Sequence, residues 1–163
     1  MADLAWIDVK EFFDPDLMGA LPDLFAPETT VDDWRAVLDL VAMSDWAWRY
    51  EEDDAELPLP DAATALARSD ETSVVLKVWP TESVQVNFWF LDPSQIDFDV
   101  DLRELQGQHG ADILCAFLRT MGRELRKPVL MTNEGGDDAH PVLGYIPERD
   151  RVEVLAERFS ADQ

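Results

Sequence analysis

The segment Ile96-Asp97-Phe98-Asp99-Val100-Asp101-Leu102 alternates without a break, four apolar side chains against three aspartates. An extended strand puts every second residue on one side, so this run predicts a strand with one face in a core and the other in water. A sheet wet on one face is antiparallel, because parallel sheets are covered on both. Two further β-rich runs, residues 72–79 and 84–91, flank Pro80-Thr81-Glu82-Ser83 and read as a hairpin. In the second run Val84, Val86, Phe88 and Phe90 share one face, and Gln85, Asn87 and Trp89 share the other. Trp89 is thus a large aromatic on a polar face, either covered by the N-terminal arm or exposed as a binding anchor.

Around this nucleus the remaining elements follow from periodicity. Thr30 stands three residues before Asp33, and Trp34, Val37, Leu38 and Val41 then recur at helical spacing, which predicts a helix over 31–43. Ile113, Leu114, Phe117, Leu118, Met121 and Leu125 form the apolar stripe of a second helix over 111–126, stopped by Pro128. Trp46-Ala47-Trp48-Arg49-Tyr50 reads as a strand whose aromatics face the core, residues 60–68 as a short helix, and 129–131, 142–146 and 151–155 as further strands. Residues 1–30, punctuated by Pro15, Pro22 and Pro27, read as short helical turns in a packed arm, and residues 158–163 as a frayed tail. The expectation is one α+β domain over 1–163, with a mostly antiparallel sheet of about five to seven strands and two main helices on one face.

Charge narrows the function. With 35 Asp and Glu against 13 Lys and Arg the net charge is −22, which disfavours both a phosphate backbone and an anionic membrane as partners. A hydrophobic content of 47% is too high for an acidic disordered tail. The surplus is uneven: residues 1–102 hold 5 basic and 24 acidic side chains, a net of −19, and residues 103–163 a net of only −3. A basic protein partner follows, met by Asp97, Asp99 and Asp101 on their strand face, by the acidic run Glu51, Glu52, Asp53 and Asp54, taken as a solvated loop, and by Trp89.

Catalytic chemistry finds little foothold. The lone Cys115 sits beside the second helix's apolar stripe and reads as a buried small hydrophobe. His109 and His140 lie outside any metal spacing; only convergence of their loops with Glu134 would make a metal or acid/base cluster of a small hydrolase. Asn133-Glu134-Gly135-Gly136-Asp137-Asp138 lacks the lysine of a phosphate cradle and carries repelling carboxylates. No cofactor is expected. One cysteine and an N-terminus without a cationic, apolar leader lead us to expect a cytoplasmic protein.

The aromatic strand Trp46 to Tyr50, the stretch Ile96 to Leu105 and the closing Pro141-Val142-Leu143-Gly144-Tyr145 together resemble the small acidic α+β immunity proteins that bacteria encode beside polymorphic or contact-delivered toxins. That resemblance implies a cytoplasmic inhibitor, without catalysis of its own, that plugs the active site of a basic toxin domain. An acidic secretion-chaperone-like protein holding a cationic effector is the alternative. That class usually dimerises, whereas the single apolar stripe of the second helix can be used up by its own sheet, which fits a monomer or weak dimer.

Overall fold

A computed structural model describes residues 3–156. The proline-marked start forms the expected turns: α1 (Trp6–Val9), a 3-10 turn (Lys10–Phe13) and α2 (Pro15–Met18), the last opened by the Asp14 carboxylate, which accepts the Asp16 N–H. The arm then becomes something else. Asp23–Pro27 is a strand, β1, paired on both sides, with Leu24, Phe25 and Ala26 all buried. Pro27 is tolerated because it is the final residue of the strand, where a missing N–H removes little from the ladder.

Beyond Thr30 lies α3 (Val31–Met43), closed at its start by reciprocal bonds between Thr30 and Asp33. Then follow β2 (Ala47–Glu52), β3 (Ala55–Glu56), α4 (Ala62–Arg68), β4 (Val74–Thr81), β5 (Val84–Asp92) and β6 (Gln95–Val100). A 3-10 turn at Leu102–Glu104 leads into α5 (Gly107–Leu125), after which come β7 (Val129–Thr132), β8 (Leu143–Ile146) and β9 (Arg151–Val154). The strands make one sheet in the order β3-β2-β4-β5-β6-β1-β7-β8-β9, each neighbouring pair antiparallel. The fold is α+β, with nine strands among the described residues where the sequence led us to expect at most seven. The two additions are β1 and the two-residue β3. The tail expected over 158–163 lies outside the described residues.

Every helix sends its buried side chains into one apolar cluster on one face of the sheet. Trp34 of α3 stacks on Phe90 with ring centroids 4.6 Å apart, and Phe117 of α5 meets Phe88 and Phe98 at 6.2 and 5.8 Å. Burial of each such ring is worth about 1.5–3 kcal/mol, so both helices anchor on β5, and α5 on β6 as well. Gly122 of α5 lets Tyr145 of β8 press against the helix backbone, leaving no room for a Cβ there. One expectation fails at the periphery: Trp46 packs on Phe117, but Trp48 is 37% exposed, because β2 lies next to the sheet edge and no helix reaches it there.

Candidate functional site

With the helices all on one side, the opposite face of the sheet is where odd-numbered residues of β4, β5 and β6 emerge. Register lines them up in two rows across the strands. One runs Val75, Trp89, Asp97, Phe25, Leu130, and the next Lys77, Asn87, Asp99, Asp23, Thr132. Val75 and Phe25 are buried on this face although they belong to no part of the main core, so it is apolar at its centre.

Trp89 and the two central aspartates are held in place by neutral donors. The Trp89 indole N–H donates to Asp99 Oδ2 at 2.8 Å, and the Asn87 amide to Asp99 Oδ1 at 2.9 Å. Asn87 is steadied in turn by Gln85, at 2.7 Å. Gln95 donates to Asp97 Oδ1 at 2.7 Å and reaches Asp138 at 3.4 Å. Trp89, Leu91 and Gln95 border a concavity of about 190 Å³ with Asp23, Asp97, Asp99 and Asp138 around it. Partial burial, with the repulsion of neighbouring carboxylates behind it, lifts Asp97 and Asp99 above the ordinary aspartate range. Among the described residues no ion pair involves Asp23, Asp97, Asp99 or Asp138.

The other acidic candidates, Asp54 apart, have partners. Asp101 bonds Arg103 at 2.7 Å, caps the following 3-10 turn and sits below its ordinary range for that reason. Glu51 and Glu52 are strand residues, not loop: Glu51 is 4% exposed between Arg49 (2.6 Å) and Lys77 (3.1 Å). Glu52 takes hydrogen bonds from the Tyr50 hydroxyl and Arg68. Asp53 and Asp54, at φ of +47° and +68°, make the two-residue turn between β2 and β3, a turn that short polar side chains tolerate, and Asp53 accepts the Ser73 N–H. The acidic run therefore fastens the hairpin, whereas Asp23 of β1, Asp97 and Asp99 of β6 and Asp138 of the Gly-rich loop stand together at the concavity.

The histidines do not meet. His109 lies in the first turn of α5, exposed; His140 is exposed beside Asp137 at 2.9 Å; Glu134 takes the Leu21 N–H and ties the loop to the N-terminal turns. Among the described residues no three His, Cys, Asp or Glu side chains stand close enough to hold a metal ion. Cys115 is buried and its thiol is pushed up to about 12, which makes it a poor nucleophile.

Asp23, Phe25, Gln95 and Asp138 were not foreseen from the sequence; Asp23 and Phe25 arrive with β1, and Asp138 with the Gly-rich loop. A larger hollow of about 500 Å³ beside α1 and α2 is wide open and bordered by Lys10, Glu11 and Asp14, charges of both signs, so it carries no comparable field. No helix among the described residues is long and apolar enough to cross a membrane. Comparison with protein-family models, with curated proteins and with solved structures finds no match.

Proposed function

We propose that this chain is a non-catalytic binding module of the cytoplasm, an immunity-type inhibitor that neutralises a basic toxin domain through the helix-free face of its sheet. The observation that carries the reading is the grouping, around a half-buried tryptophan, of four carboxylates that have no cationic partner among the described residues, on the face that the described helices leave open. Negative potential there steers a positive surface toward it, and the half-buried Trp89 gives the docked partner aromatic surface to cover.

Co-expression with the product of the adjacent reading frame tests the proposal. That product alone should arrest growth, and this chain should restore it. Asp23→Lys with Asp138→Lys changes two exposed positions, and it should slow association about tenfold at low salt, with the difference closing at high salt. Rescue by a double variant that associates as fast as the parent at low salt would remove the basis of the proposal.

A further inference from the structure

We infer that the concavity beside Trp89 receives one arginine side chain of the partner, an assignment that rests on the basic-partner reading above. Size comes first. Sites for drug-sized ligands and cofactors occupy about 300–1,000 Å³. This concavity, at about 190 Å³, has room for one long side chain.

The lining then selects among side chains. Trp89 presents aromatic surface, and it is locked by the bond from its indole N–H to Asp99. A fixed aromatic ring beside carboxylates favours a cation that can stack, which the planar guanidinium does and a hydrated ammonium does less well. Asp97 Oδ1 is engaged by Gln95, whereas Oδ2 takes no hydrogen bond within the described residues; Asp23 likewise uses Oδ2 on the Gly135 N–H and keeps Oδ1 open. Asp97 and Asp99 sit two positions apart on β6, about 7 Å, with Asp23 directly across from Asp99. Acceptors spread this widely suit five diverging donors better than one point charge. Both central aspartates are half-buried, so the more weakly hydrated cation has the lower desolvation cost.

The test uses the full chain and three capped peptides, Gly-Arg-Gly, Gly-Lys-Gly and Gly-citrulline-Gly, read at the Trp89 indole N–H resonance and assigned by its absence in Trp89→Phe. The arginine peptide should shift that resonance saturably, the lysine peptide should bind about three- to tenfold more weakly, and citrulline should leave it unmoved. Asp97→Asn should weaken the arginine peptide by a similar factor of about three to ten. Equal binding of the lysine peptide, a silent Trp89, or indifference to Asp97→Asn overturns the arginine assignment. Poly-L-lysine separates the two levels. If it still binds with salt-sensitive affinity, the acidic-face reading survives; if neither poly-L-lysine nor poly-L-arginine binds, both fall.

Discussion

Asp97 and Asp101 occupy the same face of the same strand run and have opposite effects on the fold. Burial holds the Asp97 carboxyl above the ordinary value of 3.8, so the folded state binds its proton more tightly than the unfolded state does. Stability is then greatest at low pH and falls as pH rises past that value. Asp101 is held below 3.8 by Arg103, and its contribution is present at neutral pH and lost as pH falls. Asp97→Asn should therefore raise the melting temperature at pH 7, on the scale of roughly 0.5–2 kcal/mol, with the gain fading as pH drops through the aspartate range. Asp101→Asn should lower it. Thermal melts across pH decide, and a less stable Asp97→Asn at pH 7 would contradict the assignment. The sequence shows that the two aspartates share a face. It does not show that Arg103 folds back onto one of them while the other lines a hollow, because that depends on where the strand ends and its chain turns.

Elements with a single strong period were legible. The helix expected over 31–43 is α3 residue for residue, because Thr30, Asp33 and the Trp34 stripe mark both its start and its buried side. β1 was not, since its five residues end in proline and bury Leu24, Phe25 and Ala26 in succession, leaving no alternation to read. Its insertion between β6 and β7 is decided by tertiary pairing alone. Leu24→Ala should accordingly cost about 2–5 kcal/mol in urea unfolding, a core-strand value, whereas Leu17→Ala on the exposed side of α2 should stay within about 0.5 kcal/mol. Similar small losses at both positions would mean that residues 1–30 are only a packed arm. The β2–β3 hairpin shows the reverse: acidic residues expected in a loop extend a strand, because Arg49 on the same strand and Lys77 on the neighbouring one neutralise Glu51.

For the molecule as a whole, ten of the 13 lysines and arginines already sit in ion pairs, mostly exposed ones worth little each. With all 13 cations counted the chain still carries −22, so self-repulsion outweighs local attraction. Raising salt from about 0.01 M to about 1 M shortens the screening length from about 30 to 3 Å and should raise the melting temperature. A falling melting temperature would show that the ion pairs dominate instead. The placement of β1 also has a consequence in time. Its residues leave the ribosome among the first, yet Phe25 pairs with Leu130, more than a hundred positions later. Until β7 has been synthesised, one edge of β1 stays open, and the loop that brings Asp138 to the acidic face is still missing. Long-range closures of this kind are slow, so the acidic face is among the last parts of the molecule to be completed, and the newborn chain is not yet competent to hold its partner.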